Sequence, residues 1–95
     1  MALIDEVRMA LRITSTDFDP EIQGLINSAL ADLKISGVAD PLETDPLIKR
    51  AIITYCKAQF GYDNPEADRF QRAYDSLKMH LSLSAEYTGG TTSEA

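Results

Sequence analysis

The sequence predicts an all-α fold: a small single domain of about four helices, bundle-like, with a flexible C-terminal tail. Three observations predict it. Apolar residues recur at spacings of three and four in four successive segments, the signature of a 3.6-residue period. No segment of useful length alternates with period two, so strands are not expected. The four prolines, Pro20, Pro41, Pro46 and Pro65, each follow Asp or Asn, and three of these pairs stand at the start of an apolar-periodic segment, where a capping side chain and a residue without an N–H both fit.

The first helix is carried by Leu3, Val7 and Leu11, with Ile4 beside them and Asp5, Glu6, Arg8 and Arg12 facing elsewhere. A helix this short rarely holds alone in water, so its apolar edge must lie against the helix that follows. Ile13 closes the seam. Thr14, Ser15, Thr16 and Asp17 prefer local side-chain to backbone bonds, which makes 13–19 a tight connection.

The second helix reads as the spine of the domain. Asp19 is placed to cap it, Pro20 to open it, and Ile22, Leu25, Ile26, Ala29, Leu30 and Leu33 form one stripe that must be buried. Lys34 suits the negative end of the helix dipole, and Gly37 can take the left-handed conformation that closes the helix. The following stretch holds Asp40-Pro41 and Asp45-Pro46, which cannot sit inside a helix and mark a surface loop.

Asp45 and Pro46 then start a third helix with a wide apolar face of Leu47, Ile48, Ala51, Ile52, Tyr55, Cys56 and Phe60, ended by Gly61. Ile53 lies off that face. An isolated exposed isoleucine is ordinary, and a contact with a second subunit is the sharper reading of it. Asn64 and Pro65 repeat the cap-and-open pattern for a fourth helix, with Phe70, Ala73, Tyr74, Leu77 and Leu81 inward and Arg69, Arg72, Asp75 and Lys78 largely outward. From Ser82 onward Ser, Thr, Gly and Glu take over, which leaves too little apolar surface to offset the entropy of ordering. The domain is therefore taken as 1–87 and the flexible tail as 88–95.

Composition narrows function. A chain of 95 residues with 44% hydrophobic content suits one core and no second domain. No apolar run is long enough to span a membrane, and the first residues lack the pattern of a signal peptide, so a cytosolic protein is expected. The lone Cys56 cannot form an internal disulfide. Fifteen acidic against nine basic residues give a net charge of −6, which opposes ordinary attraction to phosphate backbones.

Catalysis finds little support, because His80 and Cys56 are the only residues of their types and neither has a visible partner. Cys56 reads as a small core residue, His80 as a surface or edge residue. Asp17, Asp19 and Glu21 suggest a calcium loop, but that register puts Ile22 where glycine is needed and Ser28 where the bidentate glutamate belongs. One Cys and one His make no zinc set, and the scattered glycines form no phosphate loop. No cofactor, metal or small-molecule substrate is expected. Lys49, Arg50 and Lys57 share the third helix as a helix-turn-helix reader requires, yet that helix is mostly apolar and its surroundings acidic.

Leu3, Val7, Leu11-Arg12-Ile13, Asp17, Asp19, Leu25-Ile26 with Ala29, and the closing Gly37, followed by Ala51-Ile52 to Phe60-Gly61 and Ser76-Leu77 to Leu81, resemble the tailed-phage head-tail connector family. The likeness covers most of 1–87; 38–44 and the tail after Tyr87 carry no family pattern. The resemblance implies a structural, non-enzymatic adaptor that docks on the portal as a ring, extends the DNA channel and joins head to tail. It implies as partners other copies of the chain, the portal and the tail or stopper components, with DNA passing through without sequence-specific binding. It also implies a place at the head-tail interface of the virion, or in the host bacterial cytoplasm during assembly. An acidic ring suits passing DNA, since each phosphate contact would add friction. The alternative is a small acidic helical adaptor or regulator that binds a partner protein through an apolar groove; a small enzyme would have to depend on His80 or Cys56.

Overall fold

One helix, α3 (Pro46–Gln59), packs against each of the other three: α1 (Leu3–Ala10), α2 (Asp19–Ile35) and α4 (Ala67–Leu83). The computed structural model describes residues 2–61 and 64–88, and among these there are four helices and no strand, as the sequence predicts. The central element is α3 rather than α2. Its Ile48, Ala51, Ile52 and Cys56 are fully buried, while Ile53, Tyr55 and Phe60 pack on the core from its edges. Burying each large aliphatic side chain contributes about 1.5–3 kcal/mol. Leu47, predicted to share this face, is 37% exposed, whereas Ile48 in the same first turn is buried, so Leu47 lies at the margin of the face.

The start of α3 follows expectation. Asp45 Oδ1 accepts from the N–H groups of Leu47 (2.9 Å) and Ile48 (3.3 Å), and Pro46 occupies the first turn. The other two predicted caps behave differently. Asp19 is already the first residue of α2, and Phe18 stands at the cap with no side-chain bond. From there the Asp19 carboxylate reaches across to Arg8, with Oδ1 accepting from Nε and Oδ2 from a terminal guanidinium nitrogen, both at 3.0 Å. This fork fastens α1 to α2. Asn64 likewise precedes the helix: its Oδ1 accepts from the Glu66 N–H at 3.0 Å, and its Nδ2 donates to the Lys57 carbonyl at 2.7 Å. It thereby satisfies a free carbonyl in the last turn of α3, and α4 begins at Ala67 rather than Pro65.

Two helices end in the same left-handed closure. At the end of α2 Gly37 has φ +106°, its N–H donates to Lys34 O and the Val38 N–H to Leu33 O. Val38 is thus folded onto Leu33 and buried, which corrects the reading of the following stretch as surface throughout. At the end of α1 the Arg12 N–H donates to Met9 O and the Ile13 N–H to Arg8 O, with Arg12 itself at φ +63°. A non-glycine residue there was not foreseen.

The fourth helix lies mainly on α3, so its buried stripe is narrow: Tyr74 and Leu81 are fully buried, Leu77 partly, and Ala73 is exposed, against expectation. Tyr74 stacks edge-on against Tyr55, with ring centroids 5.1 Å apart. Its hydroxyl donates to Asp32 Oδ2 at 2.7 Å, and Lys78 Nζ, predicted to face outward, donates to the same oxygen at 3.0 Å. This polar tie joins α2 to α4. The Tyr74 bond, followed by that of Lys78, holds the Asp32 carboxyl below its ordinary range against the opposing effect of burial. Burial and the bond to Asp32 raise the Tyr74 phenol.

Ser82 and Leu83 still belong to α4, and Ser84–Thr88 turn back toward the interhelix loop. The Tyr87 carbonyl accepts from the Ala39 N–H at 2.8 Å, and its hydroxyl donates to Asp45 Oδ1 at 3.1 Å. The segment from 82 to 87 is therefore held in place rather than mobile. The predicted flexible tail, 88–95, lies outside the described residues from 89 onward.

Ile26 is 1% exposed, so Ile26→Asp should unfold the domain: a buried unpaired charge costs several kcal/mol against a whole stability of about 5–15 kcal/mol. Full helical circular dichroism with an unchanged melting temperature would refute that packing. The lowered Asp32 pKa adds a pH signature. Its stabilisation is complete above the unfolded carboxylate value of about 3.9 and is lost as pH falls through the lower folded value. Asp32→Asn should therefore be less stable at neutral pH and flatten the wild-type loss of stability below about pH 4, as read by denaturant titration across pH. An unaltered acid limb would show that Asp32 does not carry it.

Candidate functional site

The residues that could have carried chemistry sit in different environments, Cys56 buried and His80 exposed. Cys56 is enclosed in the core and burial pushes its thiol up to about 12, which leaves it protonated and inert. The His80 side chain is exposed on α4 and makes no hydrogen bond or ion pair among the described residues. Asp19 is occupied by Arg8, and the Asp17 N–H donates to Ser15 Oγ at 3.0 Å in the turn before α2. Among the described residues no cluster of His, Cys, Asp and Glu could hold a metal ion.

The basic residues of α3 serve separate purposes. Lys49 pairs with Glu6 at 3.1 Å, tying α3 to α1. Lys57 lies 5.4 Å from the centre of the Phe70 ring, and Arg50 is exposed. They form no continuous strip of the kind that follows a DNA groove.

Surface features suited to contact are clearer. Ile53 is half-buried rather than isolated: its inner side packs on the core, and its outer side lines an open groove between α1 and α3 with Glu6, Met9, Ala10, Arg12 and Lys57. Met9 is 60% exposed there. It was missed in the sequence, although it carries the same signal as Ile53, an apolar residue out of register with the stripe of its own helix. A second cleft lies at the N-terminal end of α3, lined by Asp40, Pro41, Leu42, Asp45, Glu86 and Tyr87. Leu42, 63% exposed, projects from the loop between the two Asp-Pro pairs. Local sequence patterning around two prolines gives no indication that this loop is fixed; its anchors, Val38 and Tyr87, are a buried residue and a long-range bond.

These features can bind a protein surface. Both are open to solvent, and among the described residues no helix is long and apolar enough to cross a membrane.

No curated protein and no solved structure matches the chain. A family model described as phage connector protein matches residues 3–88, a span that holds all four helices and the Tyr87 anchor. The chain therefore belongs to the phage connector protein family.

Proposed function

We propose that the chain is a head-tail connector that works as a ring of identical subunits docked on the portal, extending the DNA channel and joining the head to the tail or stopper components. The reading rests on family membership together with one observation. The α1–α3 groove presents Met9 and Ile53 as apolar surface between charged rims, on a domain too small to cover all its own apolar residues. Ile53 is the subunit-contact residue in this proposal. Head-to-tail contact between unlike faces closes into a ring when each step is an integral fraction of a turn, and the portal can supply the template. The net charge of −6 keeps attraction to passing DNA low. Residues 1–87 form the working domain and 88–95 are dispensable for folding.

The test is deletion of the gene from the parent phage, followed by imaging of the particles. DNA-filled or leaking heads without joined tails are expected, and a complementing copy carrying Ile53→Lys should fold, because the long stem can still cover the core, yet fail to restore tailed particles. Normal infectious particles from the deletion would reject the proposal.

A further inference from the structure

Resting on the ring reading, we infer that the subunit contact is made by the α1–α3 groove of one copy and the acidic loop around Leu42 of the next. The groove has an apolar floor of Met9, Ala10 and Ile53 and a rim with Glu6, Arg12 and Lys57. Glu6 is neutralised by Lys49 at 3.1 Å. Arg12 and Lys57 have no ion-pair partner among the described residues, so in a chain of net charge −6 this groove carries uncompensated positive charge. The loop is its opposite. Leu42 and Pro41 are set among Asp40, Glu43 and Glu86, with Lys34 on the α2 side, so the setting is net acidic, and none of these charges is ion-paired among the described residues. An apolar side chain in a net-acidic setting faces an apolar floor with a net-basic rim, which favours this register and partner.

Backbone conformation supports the same pairing. Among the described residues the non-glycine positions with positive φ are Arg12 at +63° and Asp40 at +44°. Aspartate tolerates this region, but arginine gains nothing locally from it, and glycine would close α1 with less strain. A charge stands at each position where the backbone favours glycine, the two are of opposite sign, and neither is ion-paired among the described residues.

Placement excludes an internal contact. The loop ends at Asp45, at the start of α3, while Ile53 and Lys57 lie about 12–18 Å further along the helix at a rise of ~1.5 Å per residue. One subunit cannot fold its loop into its own groove, whereas a neighbour related by rotation can, and such a contact is heterologous as a ring needs. The loop is also ordered before docking, through buried Val38, the Ala39 N–H bond to Tyr87 O and the Tyr87 hydroxyl on Asp45, which lowers the cost of binding.

The test uses phage particles built with Met9→Cys, Leu42→Cys or both, treated with a short bismaleimide; native Cys56 is buried and does not react. The double variant should give a ladder of cross-linked subunits, and each single variant at least tenfold less product. Arg12→Glu should reduce the ladder at least tenfold, and adding Glu43→Arg should restore it; Lys57→Glu gives a second reading should Arg12→Glu misfold. Products from either single variant would mean a contact between like faces and overturn the pairing. No ladder from particles that still hold a ring of this protein would overturn the pairing and leave the ring intact. A groove cysteine that reacts only after DNA ejection would assign the groove to DNA instead and overturn it. Absence of the protein from particles would reject the ring reading and the pairing together.

Discussion

The structure depends on covering α3. Its apolar residues spread over an arc too wide for a single neighbour, with Ile48, Ala51, Ile52 and Cys56 enclosed and Ile53, Tyr55 and Phe60 at the margins. A helix of this kind is stable in water only when surrounded, and the chain surrounds it with α1 and α2 from the N-terminal side of the sequence and α4 from the other. Polar ties then fix the outer helices where apolar packing between them is thin. Arg8 with Asp19 fastens α1 to α2, Lys49 with Glu6 fastens α3 to α1, and Asp32 with Tyr74 and Lys78 joins α2 to α4. The apolar centre sets which elements meet, and the charged periphery sets how they are oriented.

This division explains what could be read from the sequence. Local periodicity reports each helix and its buried stripe, so Ile22, Ile26, Ala29 and Leu33 were legible, as were the Asp45 cap and the Gly37 closure. Long-range pairing is not local. Asp19 and Asn64 look like caps because of the prolines beside them, and only the folded chain shows that Arg8 and the Lys57 carbonyl compete for them. Ala73 fits the stripe of α4 but has no helix opposite it, and Lys78 looks solvated until Asp32 is placed nearby. The prominence of α3 is hidden for the same reason: the width of an apolar face shows in the sequence, while the number of elements that will cover it does not.

The candidate site was less legible than the fold. Ile53 stands out because it breaks register, and Met9 does the same on a shorter helix where fewer turns establish the register. Arg12 reads as an ordinary surface residue until its positive φ is known. As a member of a connector family the chain is a phage structural protein that works through contact with other virion components. A helical unit with an open groove and an exposed loop anchored by Val38 and Tyr87 suits that work. Uncompensated charge carries information about the assembly where it borders exposed apolar residues, as Arg12 and Lys57 do beside Met9 and as Asp40 and Glu86 do beside Leu42.

The central claim is that the two ends of α3 present complementary faces of one repeating contact. A residue-resolution map of the connector layer in the mature particle tests it most directly. The account predicts Leu42 of each subunit seated over Met9 and Ile53 of its neighbour, with Arg12 and Lys57 within ion-pair distance of the neighbour's acidic loop residues. A map in which Met9 and Ile53 face solvent or the channel, or in which like faces meet, would contradict it.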